Sequence, residues 1–196
     1  RNCTILIHYH FHCHGALNAA AKNKIKLGAA VYNADEICHE AIEYSHIKEQ
    51  LSARWGNKIL NSDSSVNRRE VAKIVFNNES ELDFLTGIIY NELFKILDEK
   101  ILDSAMQWKF FEIPLLYEEN LADRFDRVIS VWAPHELVLR RTANWPDGEL
   151  ERRSARQWAP ERKLECADFG IVNAGGIDEL ELQCSRLALQ LGMNSL

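Results

Sequence analysis

The sequence predicts an α/β fold in which a doubly wound parallel sheet is flanked by helices. The first observation is a βαβ unit: an apolar strand from Thr4 to Ile7, an Ala/Lys-rich helix from Ala16 to Leu27 that Gly28 can end, and a short buried strand over 30–32. The second is the segment from Arg127 to Trp132, whose continuous apolar run is typical of strands buried on both faces of a parallel sheet. The third is that helical patterns separate the predicted strands, as a doubly wound sheet requires.

Composition limits the class of protein. The chain has 196 residues, 46% of them hydrophobic and 27% charged, which fits one globular domain with a core of ordinary size. It has no apolar run near the roughly 20 residues that span a bilayer and no signal-peptide pattern, so we expect a cytoplasmic protein without a membrane partner. A net charge of −6 gives no general attraction to nucleic acid. The five cysteines are scattered and never spaced Cys-x-x-Cys, which favours buried thiols over disulfides or a thiolate zinc site.

Four histidines follow the first strand at every second position: His8, His10, His12 and His14. If the strand extends through them, their imidazoles share one face of the sheet. Imidazoles two residues apart on a strand can share a metal such as zinc or copper, but no carboxylate or thiolate on that face completes the ligand set. The tract is therefore either a metal site formed by His8, His10 and His12 or a strand-to-loop transition that lines the mouth of a cleft.

Helical patterns fill the stretch after the second strand. We predict helices from about Glu36 to Leu51, from Asn67 through Phe76, and from Ser80 to about Leu102. The second and third begin at sequences that resemble capping boxes. The third helix carries apolar residues at core spacing: Leu82, Leu85, Ile89, Leu93 and Ile96.

The remaining elements alternate strand and helix. The segment 110–116 should be a strand that runs into a loop, because Pro114 has no N–H to donate within a central ladder. A last strand over 169–173 is followed by a turn at 174–176 and by a closing helix from Asp178 to Leu191.

The segment 140–163 is basic within an acidic chain. Arginine can bind phosphate through a bidentate fork, so a helical hairpin here could clamp phosphate over a cleft. The same pattern also fits a solvated helix face with i,i+4 ion pairs, and charge alone does not separate the two. The basic residues are Arg140, Arg141, Arg152, Arg153, Arg156, Arg162 and Lys163, against Asp147, Glu149, Glu151 and Glu161.

Several short motifs resemble, in their order and spacing, those of the dephospho-coenzyme A kinase family. These are P-loop kinases that phosphorylate the ribose 3′-hydroxyl of dephospho-CoA with ATP and magnesium. The motifs are the strand and Asp-Ala-Asp pattern at Leu27–Asp35, then Arg68–Asn77, Ile113–Glu118, Asp126–Ile129, Arg141, Gln157, Lys163 and Ala167–Asn173.

The resemblance implies a single P-loop NTPase-like domain spanning 1–196. Its core would comprise 1–35, 105–135 and 164–196. A helical CoA-side insertion would cover about 36–104, and a lid would cover about 140–163. ATP and Mg²⁺ would be the cofactors, and dephospho-CoA the small-molecule partner.

The resemblance also implies roles for individual residues. Asp35 matches the family's general base, and Arg141 matches its phosphate-binding arginine. Asn173 matches a residue near the adenine site. Counting back from Leu27 and Gly28 without gaps, the family's Thr-Gly-Gly-x-x-Ser-Gly-Lys-Ser-Thr loop falls on His10 to Ala19, where Gly15 is the nucleotide-binding candidate.

The chain departs from the family pattern where phosphate, metal and substrate would bind. Leu17 stands at the loop lysine and Asn18 at the magnesium-binding Ser/Thr. Further departures are Asn33 for the first Asp of Asp-Ala-Asp, Tyr90-Asn91 for a His-Pro pair, and the lack of a second arginine near Asn144-Trp145.

Two functions follow from this pattern. Replacing the loop lysine by leucine removes a main electrostatic contribution at the β- and γ-phosphates. The protein is then either a dephospho-CoA kinase that acts through Asp35 and Arg141 and is slowed or inactivated by its altered loop, or a non-catalytic binding or structural protein on the same scaffold. In the second, non-catalytic alternative, the protein could bind metal through His8, His10 and His12.

Overall fold

The computed structural model describes residues 3–9, 29–76 and 78–193. The predicted helix over 16–27 and the loop from His10 to Ala19, with Gly15, lie outside these residues.

The described strands form one parallel sheet of five. They are β1 Cys3–Tyr9, β2 Ala29–Asn33, β3 Trp108–Glu112, β4 Arg127–Trp132 and β5 Phe169–Val172. The order across the sheet is β2-β3-β1-β4-β5, and each neighbouring pair is parallel. The chain thus builds outward on both sides of β1, which confirms the doubly wound fold and places all carboxyl ends at one edge.

Eight α-helices lie within the described residues. They are α1 Ala34–Ala41, α2 Ser45–Trp55, α3 Arg68–Val75, α4 Glu79–Leu102, α5 His135–Arg141, α6 Glu149–Ser154, α7 Pro160–Cys166 and α8 Ile177–Gln190. Within the described ranges, no helix combines the length and the apolar character of a membrane span.

The chain divides into two compact units. The first comprises 1–33 and 104–196 and contains the sheet; the second comprises 34–103 and contains α1 to α4. The core of the first unit joins residues of the strands to the buried face of α8. It includes Ile5, Ile7, Phe110, Ile129, Val131, Ile171, Leu180 and Leu187. The core of the second unit consists of Ala41, Ile47, Leu51, Ile59, Val66, Val71 and Ile89.

The predicted helix over 36–51 is wrong, because the chain turns between α1 and α2. Tyr44 is extended, with φ −66° and ψ 139°, and its N–H donates to the carbonyl of Ala41 at 3.0 Å. Both carboxylate oxygens of Glu43 accept the N–H of Val66 at 3.2 Å. This contact joins residues distant in sequence, so helical periodicity could not indicate the break.

The caps of α3 and α4 explain where these helices begin. The side-chain oxygen of Asn67 accepts the N–H of Glu70 at 3.2 Å, which confirms the predicted start of α3. The cap of α4 is Asn78 rather than Ser80, and its side chain accepts the N–H of Glu81 at 3.3 Å. Buried positions in α4 recur every four residues, at Ile89, Leu93 and Leu97, whereas Ile96 of the predicted core is half-buried.

Two aspartates that precede strands, Asp126 before β4 and Asp168 before β5, form hydrogen bonds with the neighbouring strand. Asp126 Oδ2 accepts the N–H of Thr4 at 2.7 Å and its hydroxyl at 2.8 Å, and Asp168 Oδ2 accepts the N–H of Val128 at 2.8 Å. Each aspartate also donates its own N–H to the same partner's carbonyl at 3.0 Å. Two of the short motifs noted in the sequence therefore set the register of β1, β4 and β5.

Asp126→Ala should lower the free energy of unfolding by about 1 kcal/mol at pH 7, since it removes two hydrogen bonds to a charged group that is exposed and therefore screened by solvent. The N–H of Thr4 holds the pKa of the Asp126 carboxyl below its ordinary value. The stabilisation is therefore present above the unfolded pKa of about 4 and lost as pH falls through the lower folded pKa. Urea unfolding between pH 3 and 7 measures this, with Asp123→Ala as an exposed control. Equal stability of the two variants at pH 7 would contradict the assignment.

The cysteines only partly follow expectation. Cys3, Cys38 and Cys184 are half-buried free thiols, but Cys166 at the end of α7 is exposed, so the prediction of a buried thiol is wrong there. Cys13 lies outside the described residues.

The edge strand β5 is covered at one point by a side chain. The amide of Gln183 in α8 donates to the carbonyl of Val172 and accepts its N–H, both at 2.9 Å.

Candidate functional site

Polar side chains gather at the carboxyl edge of the sheet. Asn33 ends β2, Glu112 ends β3 and Asn173 directly follows β5. In open parallel sheets this edge is where ligands bind.

Asn33 and Glu112 are direct partners in the β2–β3 register. The Asn33 amide donates from Nδ2 to Glu112 Oε2 at 2.8 Å. Glu112 is only 5% exposed, so its carboxylate depends on such donors for compensation. Ile7 of β1 lies opposite Glu112 on its other side. Glu112 was not among the site residues predicted from the sequence, and the one local signal for it was its place near the end of a predicted parallel strand.

Arg141 and Asn173, both predicted from the sequence, contact each other. Arg141 ends α5, and its guanidinium donates from Nη1 to the Asn173 carbonyl at 3.3 Å and from Nη2 to Asn173 Oδ1 at 3.2 Å. Asn173 is buried, and its N–H donates to the carbonyl of Trp132 at 2.7 Å. The fork of Arg141 is thus held by a residue anchored to the last two strands of the sheet.

Asp35 lies in the second unit, in the first turn of α1, and is exposed. A carboxylate in the first turn interacts favourably with the helix dipole. One turn later, burial and then the charge of Asp35 raise the pKa of Cys38 to about 11, so this cysteine is a neutral thiol at physiological pH. Asp35 and Glu36 are the exposed carboxylates of this turn.

The basic segment, residues 140–163, contains both exposed ion pairs and a buried lysine. Arg152 and Arg153 both form ion pairs with Glu149 in α6, as the prediction of a solvated, ion-paired helix face requires. The guanidinium of Arg153 lies 4.7 Å from the ring centroid of Trp145. Lys163 is buried, and it contacts Glu118 and the Pro114 carbonyl outside the segment.

A cavity of about 390 Å³ opens between the segment that follows β4 and helices α6 and α7. Val138, Leu139 and Leu150 contribute apolar surface to its lining, and His135 and Glu161 contribute polar groups. Glu161 also accepts the indole N–H of Trp132 at 3.2 Å.

The described residues contain no group of three or more His, Cys, Asp or Glu side chains that could hold a metal ion. His10, His12 and His14 lie outside them, so the histidine metal site stays a prediction.

If His8, His10 and His12 bind zinc, the metal should stabilise the protein by about 2.7 kcal/mol when its free concentration is a hundred times the dissociation constant. Thermal melting with and without zinc measures this effect. Replacing the three histidines by glutamine should abolish the shift, whereas His39→Gln in α1 should leave it intact. An unchanged melting temperature at saturating zinc would exclude the site.

The parallel sheet flanked by helices has the fold of the P-loop kinases. The structure is similar to that of shikimate kinase from Aquifex aeolicus, with a TM-score of 0.53, 14% identity and coverage of 96% of this chain and 99% of that one. A family model described as "Dephospho-CoA kinase" matches residues 17–179. The chain belongs to the dephospho-CoA kinase family, which supports a role as a kinase of coenzyme A biosynthesis. Members of this family use ATP and Mg²⁺.

Curated relatives agree with this assignment. A dephospho-CoA kinase from Aquifex aeolicus is 31% identical over 171 residues, covering 85% of this chain and 87% of that protein. One from Bacillus licheniformis is 33% identical over 169 residues, with coverage of 82% and 83%.

Solved structures support the fold. Dephospho-CoA kinase from Campylobacter jejuni has a TM-score of 0.71 at 24% identity and covers 96% of both chains. TT1252 from Thermus thermophilus has a TM-score of 0.78 at 24% identity, covering 97% of this chain and 98% of that one.

Proposed function

We propose that this protein transfers the γ-phosphoryl group of ATP to the ribose 3′-hydroxyl of dephospho-CoA, giving coenzyme A and ADP. The observation that carries the proposal is Asp35 in the first turn of α1, at the family's general-base position, within a chain that matches the family over 17–179. Asp35 accepts the proton of the ribose 3′-hydroxyl. The hydroxyl oxygen then bonds to the γ-phosphorus of ATP while the bond between that phosphorus and ADP breaks.

Arg141 supports the transferred phosphate from a fixed position. A guanidinium has five N–H donors, and Asn173 engages two of them, so others can face a phosphate oxygen while the group is held in place. Asn173, the partner of Arg141, matches a residue near the family's adenine site.

Glu112 fits the magnesium that the family uses. Mg²⁺ prefers carboxylate oxygens, and the Asn33 amide orients this buried carboxylate at the edge of the sheet. When bound, the ion neutralises charge on the phosphates. On this chain Glu112 would hold the ion, while Asn33 keeps the carboxylate in one orientation.

A second function is favoured by Leu17 and Asn18, which stand at the loop lysine and the loop Ser/Thr. With neither group, the protein would bind dephospho-CoA without phosphorylating it. The loop residues 10–16 lie before the range that the family model matches.

The altered loop should make the binding of ATP-Mg weak, because neither an ammonium nor a Gly-rich backbone closes on the phosphates. Calorimetry at neutral pH and moderate salt checks this. A micromolar dissociation constant would contradict it.

The two functions are separated by incubating the protein with dephospho-CoA, ATP and Mg²⁺ and detecting products by liquid chromatography and mass spectrometry. Coenzyme A that forms only when ATP is present supports the kinase. Calorimetric binding of dephospho-CoA with no product supports the non-catalytic protein.

A further inference from the structure

Lys163 of α7 is fully buried, and its ammonium has three oxygen partners. Nζ lies 2.7 Å from Glu118 Oε1, and it donates to the Pro114 carbonyl at 3.2 Å and to Gln157 Oε1 at 3.3 Å. An ammonium has three N–H donors, so these oxygens match its full capacity. Burial holds the pKa of Lys163 below its ordinary value, and the hydrogen bond and charge of Glu118 oppose that shift.

Glu118 joins the loop after β3 to the basic segment at two points. The oxygen that pairs with Lys163 also accepts the N–H of Trp158 at 2.6 Å. The Trp158 ring stacks on Tyr117, with centroids 5.5 Å apart and planes at 9°, and the guanidinium of Arg162 lies 3.6 Å from the Trp158 centroid. Trp158 and Lys163 therefore both contact the loop that follows β3 at the carboxyl edge.

The other end of the basic segment is held separately, through the bonds from Arg141 to Asn173. Between these ends, Arg152 and Arg153 pair with Glu149 inside α6, and the cavity of about 390 Å³ separates part of α6 from the segment that follows β4. The basic segment is thus fixed at its two ends, and its middle borders the cavity.

A buried ion pair is a poor stabiliser compared with an apolar pair of the same volume, since both ions lose hydration. It does fix geometry, because each ion requires its partner at a set distance. The pair of Glu118 and Lys163 joins the loop after β3 to the C-terminal end of the basic segment. A lid needs a fixed attachment at such an end if its middle is to move.

We propose that Glu118 and Lys163 are positioning residues that anchor the C-terminal end of the basic segment. The segment then acts as a lid with two anchors: the contact of Lys163 with the loop after β3, and the contact of Arg141 with Asn173. The lid role rests on the proposed kinase function, but the anchor itself does not. Without the pair, the middle of the segment opens while the sheet and the second unit stay folded.

The test uses the double variant Glu118→Gln/Lys163→Met, which removes the anchor without leaving an uncompensated buried charge. Trypsin cleavage after the exposed Arg152, Arg153 and Arg156 is followed by mass spectrometry on the full chain. We expect cleavage at these sites to accelerate at least tenfold, with cleavage after Arg54 and Lys58 of the second unit unchanged. The control Glu119→Gln, an exposed neighbour in the same loop, should behave as the unmodified protein.

Unchanged cleavage in the basic segment would overturn the proposal. Equal acceleration in both units would also overturn it, because the pair would then be a general stabiliser. A second readout is kcat/KM for dephospho-CoA, expected to fall at least tenfold in the double variant and to stay constant in Glu119→Gln. If the unmodified protein makes no coenzyme A, the kinase proposal fails while the cleavage experiment still decides the anchor.

Discussion

Asp35→Asn is expected to lower the turnover of dephospho-CoA by about 10²–10⁴-fold, the contribution that a general base typically makes. The substitution keeps the size of the side chain and removes its proton acceptor. Stability should change little, because a first-turn carboxylate contributes only about 0.3–1 kcal/mol. Single-turnover rates of coenzyme A formation measure the effect.

Glu36→Gln is the matched control, since Glu36 is also an exposed acid in the first turn of α1. It should keep the unmodified turnover. If Glu36→Gln and Asp35→Asn lose the same activity, the effect belongs to the charge of the turn and Asp35 is not the base.

The second large effect is expected from a loop-restored variant, Ala16→Gly/Leu17→Lys/Asn18→Ser. It supplies an ammonium for the phosphates and a hydroxyl for the metal, and one such electrostatic contact is worth about 10²–10³ in rate. Turnover should rise by about 10²-fold or more, and binding of ATP-Mg should tighten in calorimetry.

The gain should depend on Asp35, because the loop and the base act on the same transition state. In the Asp35→Asn background, the loop-restored variant should gain much less. Equal activity in both backgrounds would place the base elsewhere. No gain with Asp35 intact would show that the departures at Asn33 and at Tyr90-Asn91 are sufficient to silence the enzyme.

The strands and the cap of α3 could be predicted because their signals are local. The apolar run at Arg127–Trp132 needs no distant partner to be recognised, and the Asn67 cap bonds a residue three positions away. The break between α1 and α2 could not be predicted, since the contact from Glu43 to Val66 spans 23 residues.

The candidate site was predicted only where a resemblance named a residue. Glu112 was missed because the hydrogen bond from Asn33 joins positions 79 apart, and only the register of β2 with β3 brings them together. Lys163 looked like one of several surface cations, and its burial depends on the loop after β3, 49 residues earlier at Pro114. The roles of Asp35, Arg141, Gly15 and Asn173 stay predictions.

The hydrogen bonds between Gln183 and Val172 affect self-association of the protein. A strand at the edge of a sheet offers unpaired N–H and carbonyl groups, on which a strand from a second molecule can add. Gln183 fills both groups of Val172 as a neighbouring strand would, although the Val172 side chain itself is 44% exposed. A single amide thus occupies the hydrogen-bonding groups of Val172, a position at which a strand of a second molecule could pair edge to edge, and it does so only while α8 stays docked.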